Sequence, residues 1–497
     1  MASYIGAIDQ GTTSTRFILF SSSGEIVASD QIEHSQIYPK PGWVEHDCSE
    51  IWENTRKVIR STLMKAGVKK GEVKAVGITN QRETTIAFNP KSGEVYHNAI
   101  VWQDLRTSSI IAALRMKMDE ETLTRKTGLR FSPYFSAGKM IWLIENVPSI
   151  TEHLGKGEVV FGTMDTYLVW KLTGRIVTDV TNASRYMLMD ISTLEWDEEL
   201  LQMCGIPRHA LPEIVSSVGE IYGYTDILGE QVPVCGILGD QQAALFGQVC
   251  FDAGQAKCTY GTGCFMLVNT GEELCYSTKG LVSTVAYQIK GKKPVYALEG
   301  SVAIAGSLVQ WTRDSLKMVK DVKELDELAS SVPDCGGVYI VPAFSGLFAP
   351  HWRSDARGVI AGLTGYVTRA HICRAVLEAT AFQANDIFEA VEADSGIKLS
   401  VLKVDGGLTN SAPLMAFQAD ILSIPVIRPK IIETTALGAA YAAGLSAGIW
   451  QNLENLSSYW KEQLRWTPGM EEDQRQEKIL FWRKAVSRTL NWAEKEE

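Results

Sequence analysis

The sequence predicts an α/β protein of two related lobes, each with a mixed sheet, on either side of a cleft. Three observations carry that prediction. Short apolar runs bounded by Gly and Ser turns alternate with segments of helical periodicity, the pattern of sheets covered by helices. The opening strand–turn–strand returns near mid-chain, with Gly11-Thr12-Thr13 and Gly261-Thr262-Gly263 standing 250 residues apart in a chain of 497. That length also exceeds one ordinary domain of about 100–200 residues. Lobes of residues 1–250 and 251–497 are expected, with a boundary near Phe251–Gly254.

Tyr4–Asp9, Arg16–Phe20 and Ile26–Ser29 read as a meander turning at Gly11-Thr12-Thr13 and Ser23-Gly24. Asp47-Cys48-Ser49-Glu50 predicts a capping box, Asp47 as N-cap and Glu50 at the third helical position, opening a helix with Ile51, Val58, Ile59 and Leu63 on one face. Lys74–Thr79 predicts a buried strand, followed by polar Asn80–Glu83 and by strands over Thr84–Phe88 and Val95–Trp102. The second half repeats the start: Ala256–Tyr260, a Gly turn, then Phe265–Asn269. A long helix is predicted over Arg369–Asp394 with one apolar face, then a strand over Val401–Asp405, the Gly406-Gly407 turn, and helices after Pro413 and Thr434.

The net charge of −10 is spread along the chain without a Lys/Arg-rich run, which argues against nucleic acid or an anionic membrane as partner. The nine cysteines are scattered and include no Cys-x-x-Cys pair, so a reducing, cytoplasmic setting is expected. Met1–Gly6 runs into a strand without signal-peptide features, and Glu494–Glu497 is not a peroxisomal tripeptide. No apolar run reaches the ~18 residues of a membrane span. The nearest, Thr435–Trp450, contains glycines and Ser446 and reads as a tightly packed internal helix.

Candidate chemistry begins at Asp9, a carboxylate at a strand end beside a turn of small hydroxyl residues, Thr12, Thr13 and Ser14, followed by Arg16. Backbone N–H groups in such a turn donate to phosphate, and the carboxylate can hold hydrated Mg²⁺. The other reading is a hairpin whose hydroxyls satisfy their own backbone. Thr262 in the matching turn, and Gly407 in a third strand-end glycine turn, fit a nucleotide lying between lobes, whereas the P-loop and kinase signatures are absent. Asp240 is expected at the start of a helix, as a functional acid or as a plain N-cap. Arg82 and Glu83 offer donors and acceptors to the hydroxyls of a polyol, or form a surface ion pair. The seven histidines show no metal-ligand spacing.

The run of motifs DQGTTSTR (Asp9–Arg16), YPKPGWVEHD (Tyr38–Asp47), GITNQRETT (Gly77–Thr85), AIVWQ (Ala99–Gln103), GTMDT (Gly162–Thr166), TDVTNAS (Thr178–Ser184), GDQQAALFG (Gly239–Gly247), TYGTGCF (Thr259–Phe265) and TTALGAAYAA (Thr434–Ala443) covers nearly the whole chain. In these motifs and their order the sequence resembles the carbohydrate kinase family, specifically its glycerol kinase branch, whose lobes share the actin/hexokinase-like (ribonuclease H-like) fold. The resemblance implies ATP-dependent phosphorylation of glycerol to sn-glycerol 3-phosphate, the entry step of glycerol catabolism. It implies glycerol contacts at Arg82, Glu83, Trp102, Tyr134, Asp240, Gln241 and Phe265 in the first lobe and at its boundary. It also implies nucleotide contacts at Thr12, Thr13, Ser14, Arg16, Thr262, Gly306, Gln310, Gly407 and Ser411, mostly in the second lobe. Asp9 would place Mg²⁺, and Asp240 would be the general base.

Glycerol and ATP are thus the implied partners, and a homo-oligomer, dimer or tetramer, is expected. Two departures stand out. The family has Asn where Ser411 stands, whereas here Asn410 precedes it. Gly229–Pro233 is shorter than the loop that binds a sugar bisphosphate in some bacterial members, so that regulation is not expected. The alternatives are a kinase of another polyol or ketopentose, and a non-metabolic actin-like ATPase.

Overall fold

The structure is a computed structural model describing residues 3–493; Met1, Ala2 and Glu494–Glu497, which entered the expected localisation, lie outside the described residues. Two sheets organise the chain. The first has six strands in the spatial order Ile221–Thr225, Val232–Gly239, Val73–Asn80, Tyr4–Gln10, Ser14–Ser21, Ile26–Glu33. Tyr4–Gln10 and Val232–Gly239 both run parallel to Val73–Asn80, and the remaining pairs are antiparallel. The second has seven strands, Val282–Tyr287, Val295–Val302, Cys264–Gly271, Ala256–Tyr260, Leu402–Asp405, Val426–Pro429 and Glu462–Trp466, with its two parallel pairs flanking Leu402–Asp405.

Aligned on their central strands, the two sheets have one topology: an antiparallel three-strand meander, two parallel strands beyond it, and an antiparallel edge. The repeat read from the two glycine turns is therefore structural. Each meander follows from its alternation of apolar residues and its turn. Ile5, Ala7, Phe17 and Leu19 are fully buried, and Gly11 N–H closes the first turn on the Ser14 carbonyl at 2.9 Å as Gly261 N–H closes the second on Gly263.

Between the sheets lie two helices, Asp240–Gly247 and Thr434–Ser446, each following the second parallel strand of its own sheet. They cross at glycines. A Cβ on Gly438 would stand 1.8 Å from the Ala243 carbonyl oxygen, and one on Gly247 would stand 2.0 Å from that of Thr434. Gly77 and Gly236 of the first sheet meet Ala439 and Ala443 in the same way. Only hydrogen side chains allow so close an approach, and this packing is why the Ala/Gly-rich stretch is interior rather than membrane-spanning. The helix Thr434–Ser446, though numbered within the expected second lobe, packs on the first sheet. Among the described residues no helix is long and apolar enough to cross a membrane.

Three expectations are corrected. Asp47 does cap the helix Cys48–Ala66, accepting from Ser49 and Glu50 N–H, but Glu50 does not return the bond; its carboxylate takes the backbone and hydroxyl of Ser35 instead. The strands around Ser92-Gly93 shorten to Ile86–Phe88 and Ala99–Ile100, because the chain leaves the sheet after Asn80 and passes through Glu83 at φ 60°. The helix Arg369–Ser395 is buried on several faces rather than one, since the helices Val322–Ser330 and Ala412–Leu422 and the strand Tyr339–Val341 all pack on it.

Candidate active site

The functional side chains stand where parallel strands end. Gln10, Asn80 and Gly239 close the three parallel strands of the first sheet, and Tyr260 and Asp405 close two of the second. The segments that follow, Gly11–Thr13, Gln81–Glu83, Asp240–Gln242, Gly261–Gly263 and Gly406-Gly407, begin at the carboxyl ends of these strands, the position at which α/β sheets take ligands.

Asp240 is the first residue of its helix, and Gly239 is the N-cap. With Gly239 in the N-cap position the capping role does not apply to Asp240; its Oδ1 accepts from the N–H of the next residue, Gln241, at 2.7 Å and faces Arg82 Nε at 3.2 Å. Oδ2 has no protein partner among the described residues, and the side chain is 31% exposed. Burial raises the Asp240 pKa above the ordinary value, opposed by Arg82 and Lys257, which moves a carboxylate toward the range of a working base.

Arg82 and Glu83 are not on the surface; their side chains are 2% and 1% exposed. Arg82 lies in a fork on Glu299, with Nη1 at 2.5 Å and Nη2 at 2.8 Å from its two oxygens, and Nη1 also donates to Gln242 at 3.1 Å. Arg185 donates through Nε to Glu83 Oε1 at 2.6 Å and reaches Glu299 at 3.3 Å. Two arginines and two carboxylates thus interlock, joining the first sheet's loops to the strand Val295–Val302 of the second. Burial alone would raise the Glu299 pKa, but Arg185 and Arg82 outweigh it and hold the carboxyl down at about 2. Glu83 Oε2, like Asp240 Oδ2, has no hydrogen-bond partner among the described residues.

The expected aromatic wall is present in part. Tyr134 meets Trp102 edge to face at 5.6 Å, and Trp102 Nε1 donates to Thr12 Oγ1 at 2.9 Å, tying this wall to the first glycine turn. Tyr134 is held from behind by Lys139, whose ammonium donates to the carbonyls of Pro133, Tyr134 and Phe135. Gln241 accepts from Lys257, which also reaches the Phe265 carbonyl at 3.4 Å and so brings the second sheet alongside.

Asp9 lies opposite Arg16 on the paired strand. Arg16 is held by Glu433 at 2.6 Å. Burial raises the Asp9 pKa to about 6; Arg16 opposes the shift while Glu433 and Asp240 add to it. A buried carboxylate with Arg16 already engaged by Glu433 suits a hydrated divalent cation. Among the described residues no group of three or more His, Cys, Asp or Glu side chains could hold a metal ion by itself, so water and phosphate oxygens would complete its shell.

Since Asp9 is easier to protonate folded than at its ordinary value of 3.8, its ionisation weakens the fold above pH about 6, and the penalty fades as pH falls toward 3.8. Asp9→Asn is therefore expected to resist urea better at pH 8, by about 1–3 kcal/mol, and to lose that advantage below pH ~4. Equal midpoints at pH 8 would place Asp9 in open solvent.

On the nucleotide side, Gly306 N–H bonds the Gly261 carbonyl at 3.0 Å, and a Cβ there would meet that oxygen at 2.6 Å, so the start of the helix Gly306–Asp314 is seated on the Thr262 turn. Gln310 is exposed one turn further on, and Gly406 (φ 91°) packs on the Tyr260 backbone, leaving Gly407 exposed with open space around its Cα. Thr13 is exposed, whereas Ser14 is buried and accepts from Gln31. Ser411, expected on the nucleotide side, is buried: its hydroxyl caps the helix Ala412–Leu422 and donates to Asp326 at 2.7 Å, while Asn410 is exposed beside Arg428.

Sequence reasoning missed Arg185, Lys257, Glu299 and Glu433. A signal existed for two of them, since Lys257 and Glu299 are charges inside apolar strand runs, where such residues persist only when paired. Arg185, just past the motif ending at Ser184, carries no local mark.

The sequence matches the FGGY family of carbohydrate kinases, N-terminal domain over residues 4–247 and C-terminal domain over residues 256–447. It is 54% identical to a glycerol kinase of Renibacterium salmoninarum over the whole of both chains, and 55% identical to one of Chloroflexus aurantiacus over 99% of this chain and 100% of that one. Among solved structures, a glycerol kinase of Plasmodium falciparum with ADP superposes with a TM-score of 0.94 at 42% identity, covering 98% of each chain.

Proposed function

As this chain belongs to the FGGY family of carbohydrate kinases, we propose that it transfers the γ-phosphoryl group of ATP to a terminal hydroxyl of glycerol, giving sn-glycerol 3-phosphate and ADP. The observation that carries this reading is the pair of unpartnered carboxylate oxygens, Asp240 Oδ2 and Glu83 Oε2, on either side of a guanidinium whose other acceptors are fixed. A small triol has hydroxyls enough to fill both, with Gln241 Nε2 as a further donor, and the Trp102, Tyr134 and Phe265 faces would enclose its carbons. Full-length relatives named glycerol kinase, including one solved with ADP, support the same substrates.

In this reading Asp240 Oδ2 accepts the proton of the terminal hydroxyl as that oxygen bonds the γ-phosphorus and the bond from phosphorus to the β–γ bridging oxygen breaks. Its raised pKa makes it a better proton acceptor than a solvated carboxylate. Backbone N–H groups of the Thr12-Thr13 and Thr262 turns, with Arg16, neutralise phosphate charge, and Arg82 aims the acceptor, so that positioning and electrostatics supply most of the rate. Mg²⁺, placed beside Asp9 through water, would supply further neutralisation of the phosphates. The adenosine side falls to Gly306, Gln310, Gly407 and, in place of Ser411, Asn410. Nine free thiols, all but Cys275 buried, suit a reducing cytoplasm.

ADP release coupled to a reporter enzyme, run with glycerol, dihydroxyacetone, xylulose and ribulose, tests the proposal. Glycerol is expected to give the highest kcat/KM by about 10-fold or more, because a longer sugar must displace the buried groups around Glu83. Faster turnover of a ketopentose would transfer the assignment to another polyol. ATP hydrolysis indifferent to every polyol would favour an actin-like ATPase.

A further inference from the structure

Arg185 takes no part in the reaction as described, yet it is 1% exposed and aimed at the acceptor site. It follows the short helix Val180–Ala183, which Asp179 caps through Thr181 and Asn182 N–H and which Ser217 braces by donating to Asp179 at 2.7 Å. Its guanidinium lies over the rings of Tyr134 and Phe135 at 5.6 and 5.2 Å, and its carbonyl accepts from Ser136 N–H, so it is fastened to the aromatic wall as well. Of its nitrogens, Nε serves Glu83 and Nη2 serves Glu299, while Nη1 is buried without a hydrogen-bond partner among the described residues. Glu83 has φ 60°, a conformation unusual for a side chain of its size and held by the bonds from Ser136 Oγ and Thr85 Oγ1 to its carbonyl.

Resting on the polyol kinase reading, we propose that Arg185 is a positioning residue for the phosphoryl acceptor: by occupying Glu83 Oε1 it fixes that carboxylate in place and leaves Oε2 as the acceptor for a substrate hydroxyl. The groups facing Glu83 support this division. Arg82, on the same loop, stands 3.9 Å away through Nε and is committed to Glu299 and Asp240; Tyr134, Lys139 and Glu299 are the other ionisable neighbours, and Lys139 is bonded to three carbonyls. Burial raises the Glu83 pKa, and Arg185 is the largest opposing charge. Without Arg185, burial is opposed mainly by Arg82 and the Glu83 pKa moves further up, so the carboxyl takes a proton more readily and becomes a donor where the substrate hydroxyl also needs to donate.

The test is the pH dependence of steady-state kinetics for the parent, R185M and R185K. R185M is expected to raise the glycerol KM about 10-fold or more at the acid end of the profile and to regain part of that loss as the pH rises and Glu83 ionises, with the KM for ATP within about 2-fold of the parent. R185K keeps a cation at the same place and is expected to show a pH profile parallel to the parent. A glycerol KM that is unchanged in R185M, or raised by the same factor at every pH, overturns the proposal, since lost packing alone has no titration. Should R185M not fold, E83Q serves as the permanently uncharged form: its glycerol KM is expected to be high and flat across this range, and a parental KM in E83Q would equally overturn it. The parent in the same assay separates the two readings, because absence of glycerol-dependent ADP release removes the polyol kinase reading, whereas release with a flat R185M profile removes this proposal alone.

Discussion

Replacement of Asp240 by Asn is expected to lower the turnover of glycerol by about 10²–10⁴-fold, the range for loss of a positioned general base, while leaving the fold and ATP affinity near those of the parent. The structure makes this variant informative. The bond from Gln241 N–H and the contact with Arg82 both use Oδ1, which an amide retains, and what disappears is the proton-accepting capacity of Oδ2. Helix capping does not confound the result, since Gly239 and not Asp240 occupies the N-cap. Chemical quench of a single turnover with saturating ATP reports the chemical step directly. Turnover within about three-fold of the parent would send the search for the base elsewhere, with Glu83 the next carboxylate in reach.

Replacement of Glu299 by Gln is expected to destabilise the protein by about 3–5 kcal/mol, because Arg82 and Arg185 would keep their buried charges and lose a shared counter-ion. The pH dependence follows from the sign of the shift. With its carboxyl held at about 2 in the fold against 4.5 ordinarily, Glu299 stabilises the folded state fully above pH 4.5, and the contribution is lost as pH falls through about 2. The gap between parent and variant should therefore be complete at pH 7 and close progressively on acidification. Urea titration followed by tryptophan fluorescence measures it, and coincident curves at pH 7 would mean that solvent, not Glu299, balances the two guanidinium groups. The glycerol KM should rise in parallel, since Glu299 is the carboxylate that holds both Nη1 and Nη2 of Arg82.

Local chemistry made much of this protein legible in its sequence. The two meanders, their glycine turns and the Asp47 cap each depend on residues close to one another along the chain, and alternation and capping chemistry record such effects directly. Asp9, Arg82, Glu83 and Asp240 stood out as candidates because acids and bases at or just past strand ends in an α/β chain gather where such sheets take ligands.

Tertiary structure decided which charges face one another. Arg185 reaches Glu83 across 102 positions and Arg82 reaches Glu299 across 217, so no periodicity or spacing could announce either pair. It also decided that Glu50 turns to Ser35, that Ser411 is sealed against Asp326 while Asn410 remains open, and that the helix Thr434–Ser446 lies on the first sheet. The physical reason is common to all of these. A buried charge or hydroxyl is stabilised only by partners that the packing brings within about 3 Å, and those partners come from whichever strands and helices share that part of the interior.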